Sequence, residues 1–116
     1  MKLAIVGSRT FNDYPFLVQE VLKINDIEKI ISGGARGADS LAIYYAQQNN
    51  IQFRVFLANW GQFGKKAGFI RNVEIVDYSD VILAFWDGQS KGTQHTIKLA
   101  GACKKPVFIR WPEIAK

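Results

Sequence analysis

Arg9 and Arg36 stand inside turns built from small residues, and Arg71 follows a glycine-containing loop. A guanidinium presents a planar fork of donors suited to phosphate or carboxylate. The densest cluster is Ser32-Gly33-Gly34-Ala35-Arg36-Gly37-Ala38-Asp39. Its glycines would let the main chain approach an anion closely, and a helix starting behind it would add partial positive charge. Two further turns, Gly7-Ser8-Arg9 and Asp87-Gly88-Gln89-Ser90-Lys91-Gly92-Thr93, offer the hydroxyls of Ser8, Ser90 and Thr93. The chemistry these residues suit is recognition of a phosphate or ribose phosphate.

Each residue also has a plain structural account. Exposed arginines are commonly surface charge, and Ser90 and Thr93 read equally as helix caps. Asp39 would complement the dipole of the helix it opens, although an acid there would also hold a ribose hydroxyl. Asp87 is the better candidate for a general acid or base, yet Asp-Gly is also a turn former. His95, the one histidine, either titrates near neutral pH beside a phosphate or simply packs. Trp60 and Trp86 offer faces for a base; Trp60, in a loop, is the better ligand contact, because aromatics at strand ends fill core space.

Strands and helices must alternate to position these turns. Leu3-Ala4-Ile5-Val6 is apolar at every position, as in a strand buried on both faces. Ile27 to Ile31 reads as a second strand and Gln52 to Leu57, which alternates, as a third nearer an edge. Asp80 to Trp86 and Pro106 to Arg110 supply the fourth and fifth. Between them, helical spacing covers Phe16 to Ile24, with Asn12, Asp13 and Pro15 as its start signal. It recurs from Ala38 to Ala46, from Ala67 to Val76 and from Thr93 to Ala100. Residues 58–66 are expected to be irregular, a flap over a site. Trp111-Pro112-Glu113 is expected to begin a short tail. The fold class is therefore α/β, a single domain over 1–116 with about five mostly parallel strands and helices on both faces. In such sheets the loops at the carboxyl ends share one rim, and ligands sit where strand order reverses. All three turns follow strands, so all three should lie there.

Composition narrows the classes. Hydrophobic residues make up 48% of 116 residues, enough for one core without staples. No apolar run reaches membrane-span length, and none resembles a signal-peptide core, which points to a cytoplasmic protein without membrane contact. The single Cys103 excludes an internal disulfide and a multi-cysteine metal site. Fifteen Lys and Arg against ten acids give a formal charge of +5, compatible with nucleic acid or with a small phosphorylated ligand. The cations are dispersed, and pairs such as Lys65-Lys66 are ordinary in solvated loops. With one histidine and one cysteine, no protein-held metal is expected; magnesium would enter only with a polyphosphate ligand.

Gly7-Ser8-Arg9 with Phe11 and Asp13, the octet at 32–39, and Ala58-Asn59-Trp60 resemble one family. Gly64-Lys65, Ala67-Gly68, Ile70-Arg71-Asn72, and Phe85-Trp86-Asp87-Gly88 with Ser90-Lys91-Gly92-Thr93 extend the match over nearly the whole chain. This is the YspA-related branch of the SLOG superfamily. That superfamily also holds the LOG phosphoribohydrolases and the core domain of DNA-processing protein A. The resemblance implies a Rossmann-like fold and a nucleotide or nucleotide-derived ligand, ADP-ribose-like or a nucleoside phosphate, at the rim. Gly33, Gly34 and Gly37 match the superfamily's phosphate loop and Gly92-Thr93 its second loop. Arg71 falls where LOG enzymes carry a catalytic arginine. Their catalytic glutamate, just after the glycine-threonine pair, is replaced here by Gln94-His95-Thr96.

The expectation is thus a sensor, or an enzyme of N-glycosidic or phosphoribosyl chemistry with Arg71 and Asp87 at the reacting bond. The ligand contacts would be Gly7, Ser8, Arg9, Gly33, Gly34, Ala35, Arg36, Gly37, Asp39, Trp60, Arg71, Asn72, Asp87, Ser90, Lys91, Gly92 and Thr93. The alternative is a module for single-stranded nucleic acid resembling DNA-processing protein A, suggested by the charge and Arg71-Asn72. Relatives often associate, so a homo-oligomer is also expected.

Overall fold

The apolar run at 3–6 sits where it must. In the computed structural model, which describes residues 1–112, strand β1 (Lys2–Gly7) lies at the centre of the sheet, and Leu3, Ala4 and Ile5 are fully buried. Alternate residues point to opposite faces. Leu3 and Ile5 enter one core with Ile30, Leu83 and Phe85, while Ala4 and Val6 enter another with Ile31, Ile82 and Ala84. The other strands are β2 (Lys29–Ser32), β3 (Gln52–Val55), β4 (Val81–Phe85) and β5 (Val107–Arg110). Their order is β3-β2-β1-β4-β5, and every neighbouring pair is parallel. β3 and β5 are the edges; β3 is largely exposed, as its alternating sequence predicts.

Helices cover both faces, as a wholly parallel sheet requires. Helix α1 (Tyr14–Val21) and α2 (Ala38–Gln48) supply Leu17, Val21, Ala42, Tyr45 and Ala46 to the first core. Helix α4 (Ala67–Tyr78) and α5 (Lys91–Ala102) supply Ile75, Val76 and Ala100 to the second. The start signal of α1 works as read: the Asp13 side chain accepts from the Phe16 N–H at 3.1 Å, with Pro15 in the first turn. This is the five-stranded, Rossmann-like α/β fold the sequence implies.

Several boundaries differ from expectation: the third strand ends at Val55 and not Leu57, the fourth and fifth are trimmed to Val81–Phe85 and Val107–Arg110, and the last helix starts at Lys91 and not Thr93. Helix α1 stops at Val21, and Ile24 packs on the core from a turn. The second strand begins at Lys29 rather than Ile27, because the β1 ladder starts with the pair Lys2–Lys29. Residues 58–66 are not irregular. Asn59 caps a short helix α3 (Trp60–Phe63), accepting from the Gln62 N–H at 3.1 Å, and a 3₁₀ turn at Gly64–Lys66 leads into α4. Of the expected tail, Glu113 lies outside the described residues.

The strand order reverses between β1 and β4, so the loops after these strands splay apart there and leave a crevice. One contact defines its rear wall. Gly37, with φ +82°, presses its Cα against the backbone of Ser8 and Arg9, and an added Cβ would stand 2.3 Å from the Ser8 carbonyl oxygen. Gly88 has nearly the same φ, +84°, with nothing within 4 Å of the corresponding point. The pair separates backbone strain from collision. Gly88→Ala is expected to cost about 1 kcal/mol and Gly37→Ala about 2–4 kcal/mol in denaturant unfolding.

Candidate functional site

The crevice at the strand-order reversal holds a cavity of about 380 Å³. Gly7, Ser8 and Arg9 reach it from β1, and Ala35 and Asp39 from the octet and α2. Arg71 and Asn72 enter from α4, and Asp87, Ser90, Gly92 and Thr93 from the loop and helix after β4. A second cavity of about 390 Å³ adjoins it and shares Arg9, Ala35 and Arg71. Gly33, Gly34, Arg36 and Trp60 line this second space, together with Leu57 and Ala58. Arg9 and Arg71 therefore stand between two connected hollows. Gly37 and Lys91 line neither. Gly37 welds two loops together, and Lys91 is exposed at the start of α5.

Inside the octet the structure gives an unexpected answer to where the anion goes. The Asp39 carboxylate folds back and accepts the Ala35 N–H at 3.2 Å. The Gly34 N–H goes to Ser32 Oγ at 3.2 Å, and the Ala38 N–H to the Ser8 carbonyl at 3.4 Å. Three main-chain donors expected to face a ligand are thus engaged within the protein. Gly33 is required for the same reason: a Cβ there would lie 2.8 Å from both Asp39 Oδ2 and Arg71 Nη1. Burial pushes Asp39 up to about 6; hydrogen bonding from Ala35 and the nearby Arg71 and Arg9 oppose that rise without cancelling it.

Arg71 is pinned from two sides. Its Nη1 donates to the Gly33 carbonyl at 2.8 Å and its Nε to Asn72 Oδ1 at 3.0 Å. Asn72 is buried, and its Nδ2 lies 3.3 Å from the Gly92 carbonyl and 3.1 Å from His95 Nδ1. Its amide is therefore occupied as a strut from Arg71 to α5. His95 packs its ring on Phe69 at 4.5 Å and does not line either cavity. Burial holds its pKa below the ordinary value. Arg9 and Arg36 are exposed, with no side-chain hydrogen bond to any described residue.

On the opposite wall, Asp87 Oδ1 accepts the N–H groups of Gln89 and Ser90, both at 2.9 Å. These bonds hold its carboxyl below the usual range, so at neutral pH it is ionised and accepts hydrogen bonds but has no proton to donate. Ser8 Oγ accepts the Asp87 N–H at 3.3 Å and ties the two walls. Ser90 occupies the cap position of α5 without capping it; its hydroxyl meets Thr93 Oγ1 at 3.2 Å. The N–H groups of Lys91, Gly92 and Thr93 consequently have no acceptor among the described residues. A Cβ at Gly92 would meet nothing within 4 Å. The open helix start at this site is that of α5. Trp86 directs its indole N–H to the Ser90 carbonyl at 2.9 Å and stabilises this turn.

Thr10 and Thr96 also line the first cavity. Thr96 was legible as the helical neighbour of Thr93 three residues on; Thr10 and Leu57 carried no chemical signal. Among the described residues no group of three or more His, Cys, Asp or Glu side chains is placed to hold a metal ion. No described helix is long and apolar enough to cross a membrane.

Comparison with known proteins agrees with this architecture. The family described as YAcAr, the YspA, cpYpsA-related SLOG family, matches residues 1–63. The Gene 61 protein of Mycobacterium phage D29 is 35% identical over 117 residues, covering 92% of this chain and 94% of the phage protein. Among solved structures, DNA processing protein A from Streptococcus pneumoniae superposes with a TM-score of 0.80 at 21% identity. That match covers 99% of this chain and 52% of the other, so the chain spans about half of the pneumococcal protein. The protein of the same name from Helicobacter pylori, described for its single-stranded DNA binding mode, gives 0.71 at 23% identity. It covers all of this chain and 67% of that one. At these identities the structural matches establish the fold.

The buried Asp39 sets a pH dependence. Its proton is held more tightly in the folded state, so its contribution to stability is complete below about 3.8, the ordinary value, and is lost as pH rises through about 6. Asp39→Asn removes this loss. Between pH 4 and 6.5 the variant should gain about 1–3 kcal/mol on the wild type in urea unfolding, then run parallel to it.

Proposed function

This chain belongs to the YspA, cpYpsA-related SLOG family, and we propose that its two connected cavities bind single-stranded nucleic acid through its phosphates. The observation that carries this is the position of Arg9 and Arg71 at the junction of the hollows. Arg71 is fixed by two hydrogen bonds, and Arg9 is unengaged. A lone nucleotide needs one such hollow, whereas a strand passes from one to the next with its phosphate at the arginines between them. Trp60, 56% exposed beside the second cavity, offers a face on which a base stacks. The free N–H groups at the start of α5 supply a further anion contact. Similarity to a protein described for single-stranded DNA binding supports the same class of partner.

A second proposal is a free nucleotide-derived ligand in the first cavity alone. The Asp87 carboxylate favours it, being held ionised where it would accept a ribose hydroxyl while the phosphate meets α5. Any turnover would be N-glycosidic or phosphoribosyl chemistry with Arg71 and Asp87 at the bond, without the carboxylate that LOG enzymes place after the glycine-threonine pair. Magnesium would accompany a polyphosphate.

Arg9→Ala is the cleaner test, because Arg71 also supports the fold. Measured by fluorescence anisotropy on a labelled thymidine oligomer, it should weaken binding about 5- to 30-fold and make the salt slope shallower by about 0.7. Unchanged affinity and slope would remove the strand proposal. Displacement of the oligomer by a mononucleotide at micromolar concentration would instead favour the second.

A further inference from the structure

Away from the rim, on the face of the sheet shared with α4, three cations converge on one tyrosine. Lys29 Nζ lies 3.1 Å from the Tyr78 hydroxyl. Lys2 Nζ stands 4.3 Å from the centre of the Tyr78 ring and Lys29 Nζ 5.6 Å from it. The Arg54 guanidinium is 4.8 Å from the same ring and 4.4 Å from that of Phe56. No two of these heads can be further apart than about 10 Å, a Debye length at 0.1 M salt, so they repel one another. None forms an ion pair with a described residue. Two carboxylates close in the chain to Lys29 and to Tyr78 make other contacts. Glu28 faces the N-terminal amino group at 3.6 Å, and Asp80 Oδ2 accepts the Lys2 backbone N–H at 2.7 Å.

Ring contacts hold the three heads in place without neutralising their charge. The phenol registers the excess field: hydrogen bonding by Lys29, then Arg54, holds its pKa below the ordinary value. Three positive charges thus gather at one place without a direct ion-pair partner among the described residues. An anion seated there relieves the repulsion among all three.

The surface is open, a shallow depression lined by Lys2, Glu28, Lys29 and Gln52. Openness suits a chain that lies across it better than a small enclosed ligand. The surface lies at the amino ends of β1, β2 and β3, opposite the rim, and β3 runs from one toward the other. Leu57 lines the second rim cavity, Arg54 lies three residues earlier along the same edge, and Lys29 is in register with Gln52 two residues further back. At about 3.3 Å per residue Arg54 lies roughly 10 Å and the level of Lys29 roughly 17 Å from the cavity along that edge, with Lys2 one strand further in than Lys29. A phosphate chain, charged at every residue, meets both places at once. An acidic peptide has no such obligatory spacing.

We propose that Lys2, Lys29 and Arg54, gathered around Tyr78, form a second contact surface for the phosphate backbone of single-stranded nucleic acid, separate from the rim and reached from it along β3. This rests on the strand-binding role given to the rim, and the two are separable by experiment. Salt-dependent anisotropy is measured with a labelled thymidine trimer and a 20-mer on the wild type, on Arg9→Ala, and on the combined Lys2→Gln, Lys29→Gln, Arg54→Gln variant. The combined variant should bind the 20-mer at least 10-fold more weakly, with a salt slope shallower by about 2, and leave the trimer unchanged. Unchanged 20-mer affinity and slope would overturn the proposal while leaving the rim intact. Loss of 20-mer binding in the combined variant with no effect of Arg9→Ala would uphold this surface and overturn the rim. No binding of either oligomer by the wild type overturns both. Arg54→Gln alone, on an exposed edge strand, keeps the test open if the combined variant unfolds; its slope should be shallower by about 0.7. Equal displacement of the 20-mer by poly-glutamate at matched charge would assign the surface to an acidic polypeptide and overturn the nucleic-acid assignment.

Discussion

The contact between Gly37 and the Ser8–Arg9 backbone holds the rim together. It exists because neither side carries atoms in the way. Gly37 adopts a backbone conformation unfavourable to other residues, and Gly7 allows Phe85 and Ala38 to close on the end of β1, where a Cβ would meet the Phe85 carbonyl at 2.5 Å. The Ala38 N–H then reaches the Ser8 carbonyl, and the Ser8 N–H reaches Phe85. Loops after β1, β2 and β4 are thereby locked to one another. Arg9 is brought beside Arg71, although the two lie far apart in sequence.

The electrostatics of the rim follow from a carboxylate placed inside it. Asp39 supplies its own negative charge to the glycine-rich turn, and Arg71 is drawn in beside it with one hand on the Gly33 carbonyl. Positive charge from Arg71 is therefore partly neutralised on the inner side. Arg9, Arg36 and the first N–H groups of α5 have no hydrogen-bond partner among the described residues. The Asp39 arrangement resembles a phosphate loop that has been closed from within. It explains why the strict glycines of the octet do structural work while the open approach lies at Gly92, across the crevice.

Polar specialisation at the rim is carried by a sheet that gives little scope for movement. β1 is covered on both sides by separate apolar clusters, and all five strands are parallel, so every carboxyl end is presented at the same edge. Asn72 extends that rigidity to the site by bridging Arg71 to the first turn of α5. Lys105 does the corresponding work at the other end, where its ammonium group donates to the carbonyls of Val76, Asp77 and Ser79 and closes the end of α4. The outlying cations at Lys2, Lys29 and Arg54 are held only by the rings of Tyr78 and Phe56 and the Tyr78 hydroxyl.

Local sequence decided the elements themselves. An unbroken apolar run specifies a doubly buried strand, Asp13 and Pro15 specify a helix start, and alternation at 52–57 specifies an edge, because each is a short-range requirement on neighbouring residues. It also decided which turns would share a rim, since a parallel sheet leaves no other arrangement. It did not show that 60–66 is helical, because one turn of helix capped by Asn59 and the 3₁₀ turn behind it are too short for periodicity to register. Nor did it show that Asp39 would satisfy Ala35, that Asn72 would be consumed as a strut, or that Lys2, Lys29 and Arg54 would meet at Tyr78. Those outcomes depend on distances between segments up to 76 residues apart, and only the packing of helices on the sheet fixes such distances.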